Sequence, residues 1–191
     1  FGGCDVGSTY TKCVILDENG KMVANVTNRS KINPVASAEI ALKDAVAQVD
    51  GLNSAEELTY LIGTGYGRNK VPFADENISE ISCHAKGIFF LVPTARTIID
   101  IGGQDAKAIR LDNKGGIKQF FMNDKCAAGT GRFIEVMARV LETTLDEMAT
   151  LDELATETAP ISSTCTVFAE SEVISQLSKG TSRNNIAKGV H

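Results

Sequence analysis

The stretch DVGSTYTKCVILDENG, residues 5–20, recurs without a gap as DIGGQDAKAIRLDNKG, residues 100–115, at an offset of 95. Asp5/Asp100, Gly7/Gly102, Lys12/Lys107, Leu16/Leu111, Asp17/Asp112 and Gly20/Gly115 are identical, and Val6/Ile101 and Val14/Ile109 are conservative. These identities sit where a backbone needs them. An acid and a glycine end the first apolar run of each copy, and an acid and a glycine close the turn after the second. Both copies therefore specify one strand-turn-strand device. A duplicated α/β chain follows, with a boundary near Pro93 that separates residues 1–93 from 94–191.

A strand that ends on Asp-x-Gly and restarts with polar residues suits a nucleotide's phosphates. Two such devices facing each other across a cleft hold phosphates and metal between them, the turn N–H groups cradling oxygens and Asp5 and Asp100 meeting Mg2+ directly or through water. On this reading Gly7, Ser8, Thr9 and Lys12 of the first copy, and Gly102, Gly103, Gln104 and Lys107 of the second, contact the nucleotide. Gln104 is placed to orient a water, as in other phosphoryl-transfer sites. For Asp5 alone a turn-capping role competes evenly; the duplicated pair tips the balance toward function.

Outward from the first copy, Phe1 to Asn28 reads as a three-strand meander turning at Asp17–Gly20. The run from Val35 to Val49 has helical spacing through Ile40, Leu42, Val46 and Val49, and Leu58 to Ile62 reads as a short strand. Gly63-Thr64-Gly65-Tyr66-Gly67-Arg68 is a strand-to-helix turn, since the GK[ST] of a phosphate loop is absent. Ser79 opens a helix that runs to about Leu91 and stops before Pro93. His84 reads as a packing or capping histidine, and Arg68 and Arg132 as surface cations or phosphate contacts.

Composition narrows the class. A net charge of −5 without a basic run argues against nucleic-acid binding through phosphate neutralisation, and no stretch has the length and apolarity of a membrane span. Five cysteines, an odd number with no CxxC spacing, suggest neither a disulfide scaffold nor a zinc knuckle, and a reducing cytoplasm fits them. Cys4, Cys13 and Cys83 fall in apolar strand-like or helix-like runs and read as small buried hydrophobes. Cys126 and Cys165 stand among small and hydroxyl residues just ahead of helix patterns. After Cys126, Gly129 and Gly131, residues Phe133, Val136, Met137, Val140 and Leu141 mark one apolar helix face, which places Cys126 at a helix N-terminus favouring a thiolate or another anion. Alone, that setting admits a nucleophile, a redox sensor or a neighbour of a phosphate loop. Glu170 and Glu172 in a first turn and Gly180 at the end mark a helix after Cys165.

DVGSTYTK resembles the first, and DIGGQD the second, phosphate motif of the actin, sugar-kinase and heat-shock-chaperone ATPase fold, a duplicated ribonuclease-H-like domain. TGYGRN, SEISCHAKG, IIDIGGQDAK, MNDKCAAGTGRF and ISSTCTVFAESEVISQLSKG together are similar to the activators of 2-hydroxyacyl-CoA dehydratases and the ATP-binding subunits of benzoyl-CoA reductase. The resemblance implies an oxygen-sensitive homodimer with one 4Fe-4S cluster on its two-fold axis, held by Cys126 and Cys165 of each chain. Two ligand-like cysteines per chain and a two-fold fit that cluster's four thiolates. The resemblance further implies ATP and Mg2+ as cofactors, an electron from reduced ferredoxin or flavodoxin, and its delivery to an iron-sulfur dehydratase or reductase. Cleft motion would reach the cluster through Gly129–Leu141. The adenosine-contacting glycine motif of the superfamily lies later in the second half, which this chain is expected to carry only in part. The cysteine segments favour the dehydratase branch over benzoyl-CoA reduction. A small-molecule kinase and an actin-type filament protein rank lower, because neither uses Cys126 and Cys165.

Overall fold

Alternation of apolar and polar residues along Gly2–Val6 (β1), Tyr10–Leu16 (β2) and Met22–Arg29 (β3) turns one face of each strand inward, and the three strands pair as an antiparallel meander. Leu61–Thr64 (β4) lies parallel to β1, and Glu76–Asn77 (β5) parallel to β4, giving the sheet order β3-β2-β1-β4-β5. The computed structural model describes residues 1–123, 126–162 and 165–191. It divides into two compact units, Phe1–Ile98 with Ile109–Gln119, and Ile99–Ala108 with Phe120–His191. Among the described residues no helix is long and apolar enough to cross a membrane.

In the first unit Cys4, Val6, Cys13, Ile15, Ala24 and Val26 of the sheet pack with Pro34–Val46 (α1). Asn33 starts this helix by accepting the Val35 N–H at 2.9 Å. Its inward stripe is Ser37, Ala38, Ala41, Leu42, Ala45 and Val46, small enough for a close approach to the sheet. Ile40, expected on that stripe, is exposed because it lies on the helix's other side. The Cys4 and Cys13 thiols face each other across β1 and β2, and hydrogen bonding to Cys4 and burial push the Cys13 thiol far up, which suits the reading of both as buried hydrophobes. The fourth strand starts later than its apolar run suggests. Ala55–Glu57 form a single 3-10 turn, and pairing with β1 carries the strand through Gly63 and Thr64. Further along, Ser79 caps Glu80–Leu91 (α2), whose Ala85, with Ile81 and Phe89, packs on Ile98, Ile109 and Leu111.

Thr97–Ile101 (β6), Ala106–Leu111 (β7) and Ile117–Asn123 (β8) form a second sheet in that order. The second unit also holds Gly131–Val140 (α3), Leu145–Glu153 (α4), Thr166–Ser178 (α5) and Arg183–Val190 (α6), whose core includes Met137, Leu141, Met148, Val173 and Ile186. Thr144 and Glu147 form a reciprocal capping box on α4. Gly180, at φ +80°, ends α5 in the left-handed conformation that a side chain resists. Glu170 and Glu172 lie beyond the first turn of α5, and Glu172 instead accepts the Ser162 N–H.

Candidate functional site

The repeat in sequence is a repeat in hydrogen bonding. Gly7 N–H donates to Tyr10 O at 3.1 Å, and Gly102 N–H donates to Asp105 O at 2.8 Å. Further on, Asp17 accepts from the N–H groups of Asn19 and Lys21, both at 2.9 Å, while Asp112 accepts from those of Lys114 at 2.7 Å and Gly116 at 2.8 Å. Each pair differs by 95 in number. Gly20 and Gly115 take φ of +78° and +76° at the same point of the turn.

In the first unit Asp5 and Lys12 are register partners on β1 and β2, and Lys12 Nζ lies 2.9 Å from Asp5 Oδ2. The lysine side chain is 46% exposed and the carboxylate 21%. Ser8 is exposed at the turn, and Thr9 O accepts the Ser30 N–H at 2.9 Å, holding the turn to the end of β3. Ser30 Oγ donates to Gly7 O at 2.7 Å from the same side. Beside this turn lies a cavity of about 400 Å³ whose wall includes Gly7, Ser8, Lys31 and Lys70.

In the second unit Asp100 pairs with Lys107 at 3.5 Å, but Lys107 also meets Asp105 Oδ1 at 2.8 Å and its side chain is only 3% exposed. Asp105, a site residue the sequence reading did not single out, occupies the place of Tyr10. Gln104 is exposed at the tip of the turn, beside Gly102 and Gly103. The carbonyls of these two glycines accept the first N–H groups of α3: Gly131 N–H donates to Gly102 O at 2.9 Å, and Arg132 N–H to Gly103 O at 3.0 Å. A methyl at Gly131 would lie 3.3 Å from Gly102 O, so the glycine permits this docking.

Cys126 does not sit at the N-terminus of α3. Gly129, at φ +78°, turns the chain, and Thr130 caps the helix, its Oγ1 also donating to Ala127 O at 2.5 Å. The helix end beside Cys126 is that of α5, whose cap residue is Cys165. The Ala128 N–H reaches Cys126 Sγ at 3.4 Å, and the N–H of Thr166 and the Cys165 thiol also bond to it. These donors, the Ala128 N–H first, hold the Cys126 thiol below its ordinary range. Asn123 Nδ2 clamps the same loop by donating to Cys126 O at 3.0 Å and Ala128 O at 3.3 Å. Asp124, Lys125, Ser163 and Thr164 of the two cysteine motifs lie outside the described residues.

Of the remaining candidates, Arg68 donates to Gly65 O at 3.1 Å and Arg132 pairs with Glu135 at 3.2 Å.

The chain matches the BadF/BadG/BcrA/BcrD ATPase family over residues 3–191. It is 69% identical to the activator of lactoyl-CoA dehydratase from Anaerotignum propionicum, over 99% of this chain and 72% of that protein. A benzoyl-CoA reductase component from Thauera aromatica is 33% identical over 99% of this chain and 67% of its own length. The solved activator of the 2-hydroxyisocaproyl-CoA dehydratase from Clostridium difficile, with bound ADPNP, superposes with a TM-score of 0.91 at 45% identity, covering 100% of this chain and 70% of that one. A duplicated turn chemistry, an actin-like α/β architecture and these likenesses converge: the chain belongs to the BadF/BadG/BcrA/BcrD ATPase family.

Proposed function

We propose that this chain is the ATP-hydrolysing activator of an iron-sulfur 2-hydroxyacyl-CoA dehydratase. In this reading it works in a reducing cytoplasm as a homodimer. One 4Fe-4S cluster is shared by Cys126 and Cys165 of each chain and charged by reduced ferredoxin or flavodoxin. The observation that carries the reading is the meeting of Cys126 with Cys165 and the first amide of α5. Two adjacent thiols, one favoured as thiolate, fit half of a four-thiolate set. The other two thiolates are assigned to a second copy related by a two-fold axis. When bound, the cluster supplies a one-electron carrier.

The chain's own residues do the rest. Gly7, Ser8 and Thr9, with Gly102, Gly103 and Gln104, present turn groups to the phosphates, and Asp5 and Asp100 serve Mg2+. Lys12, half exposed, neutralises phosphate charge; Lys107 serves the second motif from below by holding Asp100 and Asp105. The halves 1–93 and 94–191 each carry one motif. Because α3 hangs on the Gly102 and Gly103 carbonyls, a shift of the second turn with nucleotide state pulls on Gly129 and Gly131 and hence on the cysteine loop. A few kcal/mol of differential stabilisation of one oxidation state shifts a one-electron potential by roughly 100–200 mV, since about 59 mV is a tenfold change in equilibrium.

Dehydratase activation is preferred to the benzoyl-CoA branch because the identity to the lactoyl-CoA dehydratase activator is 69%, against 33% to the benzoyl-CoA reductase component. Anaerobic reconstitution with iron and sulfide tests the proposal. The protein is expected to bind close to four irons per two chains and lose them in Cys126→Ser and Cys165→Ser. A Cys126→Ser variant that keeps its full iron content would sink it.

A further inference from the structure

The loop Gly63–Arg68 lends Tyr66 and Gly67 to the wall of the cavity beside Gly7, and at Gly65 it closes on Asp5. Thr64 is the register partner of Asp5 in the parallel pair of β1 and β4, so both side chains rise from the same face of the sheet. The threonine is 8% exposed. Its Oγ1 is buried without a hydrogen-bond partner among the described residues. A buried hydroxyl left in that state costs free energy and points to a ligand or water that completes it.

The next residue holds this arrangement tight. Gly65 takes φ +84°, and a methyl there would strike Asp5 Oδ1 and the Val6 carbonyl. Gly67 N–H then donates to Val6 O at 2.8 Å, pinning the loop to the end of β1, and within the loop Arg68 Nη1 donates to Gly65 O at 3.1 Å. Only glycine at 65 lets the backbone pass against the carboxylate, and the unsatisfied Thr64 hydroxyl stands one residue before it, on the strand beside Asp5.

We propose that Thr64 is a positioning residue of the first phosphate motif: its hydroxyl accepts a hydrogen bond from a water in the hydration shell of nucleotide-bound Mg2+, a water that Asp5 also holds. Mg2+ keeps most of its waters and binds through few carboxylates, so an acceptor beside Asp5 selects where that shell sits. This rests on the reading of Asp5 as the carboxylate that serves Mg2+.

The test is binding of a fluorescent ATP analogue to the intact protein, with Mg2+ and with EDTA, for wild type, Thr64→Val, Thr64→Ser and Asp5→Asn. Thr64→Val keeps the shape and removes the hydroxyl. It is expected to bind roughly three- to tenfold more weakly in Mg2+, the scale of one lost hydrogen bond, and like wild type in EDTA. Thr64→Ser is expected to restore the Mg2+ affinity. Equal binding by wild type and Thr64→Val in Mg2+, or an equal loss in both conditions, overturns the proposal. If Asp5→Asn loses the Mg2+ effect while Thr64→Val keeps it, only the role of Thr64 fails. If Asp5→Asn keeps the full Mg2+ effect, the reading of Asp5 fails and the proposal falls with it.

Discussion

Lys12 and Lys107 hold the same place in two copies of one strand-turn-strand device, yet the first side chain is 46% exposed and the second 3%. Each pairs with the aspartate seven residues before it. One position in the turn differs with it: the first copy has Tyr10, 40% exposed, where the second has Asp105, 2.8 Å from the Lys107 ammonium. A second carboxylate draws the ammonium inward and holds it. Duplication preserved the backbone and its turn, while one cation stays half exposed and the other is buried in the fold between two carboxylates.

Removing each ammonium group separately has the largest expected effect. Lys107→Met leaves Asp100 and Asp105 with their buried cation removed, and the expected loss of stability is about 3 kcal/mol. Lys12→Met removes an exposed pair and is expected to cost under about 1 kcal/mol, while weakening MgATP binding roughly tenfold. Urea titration followed by a nucleotide-binding isotherm reads both. Equal stability losses for the two variants would erase the distinction between ligand cation and structural cation.

A smaller effect separates the two turns themselves. A methyl at Gly7 would lie 2.7 Å from the Tyr10 carbonyl oxygen, which belongs to rigid backbone. A methyl at Gly102 would meet Asp105 Oδ1 first, the mobile end of a side chain. Gly7→Ala is therefore expected to cost about 2 kcal/mol through displaced backbone. Gly102→Ala costs less in backbone, but it unseats Asp105 from Lys107. Combining Gly102→Ala with Asp105→Asn is expected to be less than additive, because both act on one carboxylate. Additive losses by thermal melts would show that Gly102 acts without Asp105.

The turns were legible because their signals are local. Asp17, Gly20, Asp112 and Gly115 dictate their hairpins within five residues, and the offset of 95 in sequence became an offset of 95 in hydrogen bonds. The surroundings of Cys126 were less so. Its own following helix begins at Gly131, too far on to touch the thiol; besides the local Ala128 amide, the helix amide that touches it belongs to Thr166, brought by the packing of α3 on α5. No spacing rule encodes that contact. Ile40 fails for a related reason: α1 is read by periodicity, but small alanines, not the largest apolar residue, decide which side meets the sheet. The Lys107 triad was legible in principle, since Asp105 stands in the quoted motif, although only burial distinguishes it from a solvated pair.

The finest comparison is between the second turns of the two copies, and it is sharpest in acid. Asp112 accepts the N–H groups of Gly116 and Lys114, and these bonds, Gly116 first, hold its carboxyl below the ordinary carboxylate range. Because the folded value lies below the unfolded one, the stabilisation is fully present above the ordinary value of about 4 and is lost as pH falls through the lowered one. Asn at 112 offers the same carbonyl oxygen to both amides without titrating. At pH 7 Asp112→Asn is expected to shift the melting temperature by only a degree or two, the scale of an exposed charge-assisted bond. Between pH 4 and pH 2 the wild type should lose melting temperature more steeply than the variant, so the two curves converge as acid is added. Parallel curves over that range would mean that Asp112 holds the turn by shape alone, and that the second hairpin, unlike the Lys107 cluster, owes nothing to charge.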